Sequence, residues 1–274
     1  AGNYELYDNT INGGIKVTPA NLTINLGDIS RVYGNLDSKN YANFITHSGL
    51  VNGDTDISFS ITSDGAITDG TLHQPAKTND VGNYGWTAQA VSGDTFNTNN
   101  YTITYTGNGT NGTTGKSTVT KANLTINLGD ISRVYGNLNP QEYDKFIAHS
   151  DLVNGDTGIT FNITSDGAIT DGTLHQPAKT NDVGDYVWTA QAVSGDTFNT
   201  NNYTITYTGN GTNGTTGKST VTKANLTINL GDISRVYGNL NPQDYDKFIT
   251  HSGLVNGDTG ISFSITSDGA ITDG

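Results

Sequence analysis

Residues 107–117, GNGTNGTTGKS, have the types and spacing of a phosphate cradle. GNGTNG fits Gly-x-Gly-x-x-Gly, whose glycines let a backbone approach a pyrophosphate, and Gly-Lys-Ser is how a phosphate-binding loop ends. Both matches fail on context. The loop motif requires glycine where Thr110 stands, and the dinucleotide fingerprint must open a helix whose N-terminal amides and dipole hold the anion. The next residues, STVTKANLTINL, are β-branched and alternating, hence another strand. The stretch reads as a Gly/Asn/Thr turn in a solvent-exposed hairpin.

The other chemistry-bearing residues are equally sparse. Asp54, Asp56, Asp64 and Asp69 are spaced loosely enough to suggest a weak calcium loop, but NGDTDISF lacks the glycine and terminal glutamate of an EF-hand. The five histidines, His47, His73, His149, His175 and His251, are isolated, without an i, i+4 pair or a cysteine to complete a metal set. Glycoside hydrolysis needs two convergent carboxylates. Glutamate occurs only at Glu5 and Glu142, and Glu142 becomes Asn40 and Asp244 at the equivalent positions of two closely similar segments. No nucleophile elbow accompanies the serines. Lys121 and Lys223 have the chemistry for isopeptide crosslinks, yet they fall at junctions and read as linker residues. Sequons are numerous, and those at Asn108, Asn111, Asn210 and Asn213 lie in the glycine-rich loops, where a glycan would be most accessible. These readings imply no enzyme, cofactor or metal.

Composition narrows the class further. Gly, Asn, Thr, Ser and Asp dominate, and charged residues make up only 14% of 274 residues, a turn-rich, β-rich profile. A formal charge of -13 without a basic cluster repels nucleic acid and anionic lipid. No apolar run approaches a bilayer-spanning length, so no membrane insertion is expected of this segment. The absence of cysteine excludes a disulfide framework and suits an exported protein, and the absence of methionine suits a processed or excised piece.

Self-similarity organises the chain. ANLTINLGDISRVYGNL begins at Ala20, Ala122 and Ala224, 102 residues apart each time. We therefore expect a tail of a preceding module at 1–19, complete modules at 20–121 and 122–223, and a truncated third at 224–274. A period near 100 residues is too long for a solenoid repeat and suits a bead that folds alone.

Within a module, alternation predicts strands at LTINL, ISFSIT, YGWTAQAV and YTITYT. Trp86 and Trp188 sit in such strands and are expected in the core. NPQEYDKFIAHSDL predicts a helix of about ten residues, with Asn139 as cap, Pro140 at its first position and Glu142 completing a capping box; its first-copy counterpart should be weaker. NGDT is turn chemistry. NDVGNY and NDVGDY fit either a tyrosine corner or a turn followed by a core tyrosine. The fold class is mainly β: tandem modules, Ig-like sandwich or β-grasp-like, with at most one short helix each.

The succession VTKANLTI, RVYGNLNP, SGLVNGDT, NDVGDY and NNYTITYTGN resembles the tandem MBG and YDG-type repeats of large bacterial surface proteins, including filamentous-haemagglutinin-like adhesins. The resemblance implies export, cell-surface or extracellular display, and service as a stalk or adhesive array without catalytic residues. The partners expected are neighbouring repeat modules and, as alternatives, host or matrix glycans held by exposed aromatics, or other copies of the chain in a filament.

Overall fold

The computed structural model describes residues 13–35, 41–55, 57–63, 80–109, 111–137, 142–165, 182–240, 242 and 244–266. Among the described residues the first repeat contains seven strands: β1 (Ala20–Leu26), β2 (Ile29–Val32), β3 (Ile45–Ser48), β4 (Ser58–Ser63), β5 (Gly82–Val91), β6 (Tyr101–Gly107) and β7 (Gly115–Thr120). They form two sheets, ordered β3-β1-β6 and β2-β7-β5-β4. Their inner faces share one core. Leu22, Ile24 and Leu26 of the first sheet are at most 1% exposed, and Trp86, Ala88 and Ala90 of the second pack into the same cluster with Tyr41, Phe96 and Tyr101. The period-two pattern thus works as expected on both sheets.

The connections differ from the expected hairpin. β1 pairs in parallel with β6, and β2 in parallel with β7. The chain leaves the first sheet at Gly27–Asp28 and enters the second at Ile29, and the glycine-rich loop makes the same transfer from β6 to β7. The loop after Thr106 is therefore an arch between sheets. Three short-range backbone bonds hold it: Gly107 N–H to Gly112 O, Gly109 N–H to Thr114 O, and Gly112 N–H to Gly109 O. The run STVTKANLTINL likewise divides at Lys121, because β7 belongs to one repeat and β8 opens the next in another sheet.

The ten-residue helix is also absent. Tyr143–Phe146 form a single 3-10 turn and the chain continues at once into a strand, Ile147–His149. Glu142 sits at the N-cap but makes no capping bond, pairing instead with Lys145. Asn139 and Pro140 lie outside the described residues. Tertiary pairing outweighs helix propensity here: Ile147 and His149 pair with the opening strand at Leu128 and Ile126, and Tyr143 buries its ring edge-on against Trp188. The first copy has the same 3-10 turn at Tyr41–Phe44.

The second repeat reproduces the strands: β8 (Ala122–Leu128), β9 (Ile131–Val134), β10 (Ile147–His149), β11 (Thr160–Ser165), β12 (Gly184–Val193), β13 (Tyr203–Gly209) and β14 (Gly217–Thr222), in sheets β10-β8-β13 and β11-β12-β14-β9. In the third copy β15 (Thr227–Leu230) and β16 (Ile249–Ser252) form an antiparallel pair. Leu226, Ile228 and Leu230 are 45–76% exposed there, against at most 1% for Leu22, Ile24 and Leu26.

By contact density the chain forms two compact units. The first comprises Ala1–Ala122 together with Val153–Asp156 and Asn201–Tyr203; the second comprises Asn123–Leu152, Thr157–Thr200 and Thr204–Gly274. In each, a Val-Asn-Gly-Asp turn of a later repeat belongs with the body of an earlier one.

Candidate functional site

That turn is a hydrogen-bonded polar feature of each unit. In Val51-Asn52-Gly53-Asp54, Asn52 and Gly53 adopt φ of 63° and 80°, and the Asp54 N–H donates to the Val51 carbonyl at 3.1 Å. Two successive left-handed residues closed by this bond are what Asn-Gly favours. The turns at Asn154 and Asn256 repeat it, with φ of 60° at both asparagines.

A tyrosine of the same repeat holds the turn. The Val51 N–H donates to the Tyr101 phenol oxygen at 3.1 Å, and that phenol donates to Asp54 Oδ2 at 2.6 Å. Tyr203 treats Val153 and Asp156 in the same way, at 3.1 and 2.7 Å. The carboxylate raises the phenol pKa of Tyr101, and burial together with Asp156 raises that of Tyr203 well above the ordinary range.

A second tyrosine, from a Val-Tyr-Gly-Asn turn, reaches the same atoms. In the first unit Tyr33 is 3% exposed; its phenol donates to Asp156, lying 3.1 Å from both carboxylate oxygens, and accepts from Asn154 Nδ2 at 3.1 Å. Its ring meets Tyr203 edge-on at 5.7 Å. Gly34 is needed beside it: φ is +82°, and a Cβ there would sit 2.6 Å from Val153 Cβ. Asn202, 1% exposed, completes the cluster by donating to Asp80 at 2.7 Å and accepting from the Val81 N–H at 2.9 Å. In the second unit Tyr135 donates to Asp258 Oδ1 at 3.2 Å and accepts from Asn256 Nδ2 at 3.2 Å.

Chemically this is a socket. A carboxylate and a carboxamide present one acceptor and one donor to a phenol, which is both; the Tyr33–Asp156 bonds are buried, where such bonds are strongest, and the Tyr135–Asp258 bond is exposed. Nothing in it is a nucleophile or a poised base.

A sequence model of the MBG domain (YGX type) matches residues 22–112 and 124–214. The chain belongs to the MBG domain family. Both matched spans include a Tyr-Gly-Asn turn, at 33–35 and 135–137. A search of curated proteins found no match.

The residues singled out in the sequence fall elsewhere in these MBG domains. Trp86 and Trp188 are wholly buried, each indole donating 3.1 Å to the carbonyl of Gly27 or Gly129. Tyr84 and Tyr186 form tyrosine corners, their phenols donating to the carbonyls of Asp80 and Asp182 at 2.7 and 2.8 Å. Asp54 serves Tyr101, while Asp56, Asp64 and Asp69 lie outside the described residues, as do His73 and His175. His47, His149 and His251 are exposed on strands, and Lys121 and Lys223 are exposed. Among the described residues no three metal-ligating side chains converge. Asn108, Asn111, Asn210 and Asn213 are all exposed; the amides of Asn108 and Asn210 donate to Asp28 and Asp130 at 3.3 and 3.2 Å. Sequence reasoning missed Tyr33 and Tyr135. Their signal was the thrice-repeated Val-Tyr-Gly-Asn, which resembles any β-turn until the partner turn is placed against it.

Proposed function

We propose that the chain is a non-enzymatic spacing and display region of an extracellular bacterial surface protein. The observation that carries this reading is the recurrence of the tyrosine socket. Tyr33 with Asn154 and Asp156, and Tyr135 with Asn256 and Asp258, tie one repeat's turn to the next repeat's turn at identical sequence separations of 121 and 123 residues. A protein that adds length by adding modules needs each one to engage its neighbour in the same way, and this contact supplies it. Family membership supports the surface location and the absence of catalysis.

Among the alternatives, glycan binding through tryptophan loses its platform, since both indoles are in the core. The loop sequons remain candidate glycan acceptors, Asn111 and Asn213 ahead of Asn108 and Asn210, whose amides face carboxylates. Mass spectrometry of native material tests them.

Small-angle scattering of chains with two, four and six repeats tests the spacing role. A constant increase in maximum dimension per repeat is expected. A dimension growing with the square root of repeat number, as for freely jointed beads, would refute it.

A further inference from the structure

The chain enters and leaves a complete repeat on strands that run the same way. It enters the first repeat at Ala20, the start of β1, passes through Gly27–Asp28 into β2, and leaves at Thr120, the end of β7. β1 pairs in parallel with β6 over seven positions, from Ala20 opposite Tyr101 to Leu26 opposite Gly107, and β2 pairs in parallel with β7 over four, from Ile29 opposite Ser117 to Val32 opposite Thr120. The glycine-rich loop joins β6 to β7 without reversing the chain. The N–H groups of Gly107 and Gly109 donate to the carbonyls of Gly112 and Thr114, so residues 107–109 and 112–114 advance together. A single seam thus crosses from the first sheet to the second, with entry and exit at its opposite ends.

Side chains close the same seam. Thr106 Oγ1 donates to the Ile24 carbonyl at 3.4 Å, the Asn108 amide to Asp28 at 3.3 Å and Thr120 Oγ1 to the Arg31 carbonyl at 3.2 Å, and the Tyr33 N–H extends the ladder to the Thr120 carbonyl at 2.8 Å. The buried indole of Trp86 spans the crossing point, donating to the Gly27 carbonyl while it packs on Gly115. The second repeat has the matching set: β9 pairs in parallel with β14, and Thr208, Asn210 and Thr222 bond Ile126, Asp130 and Arg133 as their counterparts do.

Direction decides how such a seam answers tension. Pulling two parallel strands from opposite ends loads all of their bonds at once, in shear, whereas pulling a pair from one end opens the bonds one after another. Tension along the chain reaches β2 from its N-terminal side and β7 from its C-terminal end, which are opposite ends of that parallel pair, and it loads β1 against β6 in the same sense. We propose that each complete repeat is a shear lock that carries tension between its neighbours without unfolding, a mechanical function distinct from spacing. The lock depends on strand direction within a repeat, not on how repeats are arranged.

The chain contains no cysteine, so introduced pairs define where force enters the 274-residue protein. Thr18→Cys with Lys121→Cys grips the first repeat at the points through which the chain pulls on it. Thr18→Cys with Asn99→Cys grips β1 and β6 at one end, where Ala20 lies opposite Tyr101. All three residues are exposed and outside the strands. In optical tweezers at one loading rate, the first pair should hold to a force about threefold or more above the second, because seven register pairs share the load instead of yielding in turn. Its rupture should be a single step releasing at most about 340–370 Å, the extended length of a 102-residue repeat. Equal forces overturn the proposal, as does gradual lengthening of the first pair. Equal urea midpoints check that the cysteines leave the fold intact; where a pair shifts the midpoint, Lys121→Cys with Lys223→Cys or with Asn201→Cys repeats the comparison on the second repeat. Scattering without load tests spacing separately, so either reading can fail alone.

Discussion

Tyr33→Phe removes one hydroxyl and keeps the ring. In the first unit that hydroxyl donates to a carboxylate with both oxygens at 3.1 Å and accepts from Asn154 at 3.1 Å. A bond to a charged acceptor contributes about 1.5–3 kcal/mol, and 3.1 Å is long for a hydroxyl donor, which places it at the low end. Asp156 keeps its 2.7 Å bond from Tyr203, so its charge is not left bare. With the Asn154 bond included, the expected loss is about 2 kcal/mol. Two further tyrosines in the same Val-Tyr-Gly-Asn context calibrate it. Tyr135→Phe, whose donor bond is a single one at 3.2 Å, should cost about 1 kcal/mol. Tyr237→Phe, at 99% exposure, should stay within about 0.5 kcal/mol. Urea unfolding followed by tryptophan fluorescence measures the series, because Trp86 and Trp188 report on one repeat each. Equal effects at the three positions would refute the socket as a source of stability.

The same geometry sets three other outcomes. Gly34→Ala should cost the left-handed penalty plus a clash with Val153, about 2–4 kcal/mol, whereas Gly238→Ala should cost only the penalty of about 1–2 kcal/mol; urea midpoints compare the two. Gly115→Ala would drive a methyl into the Trp86 indole and displace it from the Gly27 carbonyl, so a loss of about 1–3 kcal/mol and a changed emission maximum are expected. Burial and carboxylate neighbours raise the phenol pKa of Tyr33 and Tyr203, and the Asp54 bond raises that of Tyr101. The folded state therefore favours their neutral forms: this stabilisation is complete below the unfolded phenol pKa near 10 and is lost as pH rises through the folded values. Thermal unfolding between about pH 8 and 12 should show the decline beginning near pH 10, with a shallower slope in Tyr203→Phe.

The sequence disclosed what depends on local pattern and withheld what depends on pairing across the chain. Leu22, Ile24 and Leu26 alternate because one face of β1 is buried, and that alternation is visible in one dimension. β2 and β3 were not visible, since four residues with charge or histidine among them carry too little pattern, and they are strands because β7 and β1 supply their partners. Tyr143 and Phe146 in NPQEYDKF carry a real helix signal, overridden once Ile147 finds Leu128. The strand after the phosphate-like loop was legible from its β-branched alternation, and β7 stands there. The loop's glycines still had a purpose invisible from turn chemistry alone, because Gly115 lies flat against the indole of Trp86, from a distant part of the chain. The socket was hidden for the same reason: Tyr33 and Asp156 are 123 positions apart, and neither is unusual alone.

The Val-Asn-Gly-Asp turn answers to two tyrosines with different duties. Tyr101 and Tyr203 come from the turn's own repeat and bind its backbone, through the Val51 and Val153 amides, as well as its carboxylate. Tyr33 and Tyr135 come from the repeat before, and their phenols bond the side chains of Asn and Asp. Shaping the turn and engaging it are thus separable. The turn at 51–54 bears this out, being fully formed while Asn52 is exposed, and so does the projection at 236–239, formed while Tyr237 is exposed. Two surfaces that need no adjustment to meet can combine through a contact as small as one phenol, whose single bonds would be too weak if either side first had to be ordered. Covalent connection then raises the effective concentration of one for the other to the millimolar range, where a weak contact suffices. The interaction can therefore be weak in itself and dependable between successive repeats, as a region that adds length module by module requires.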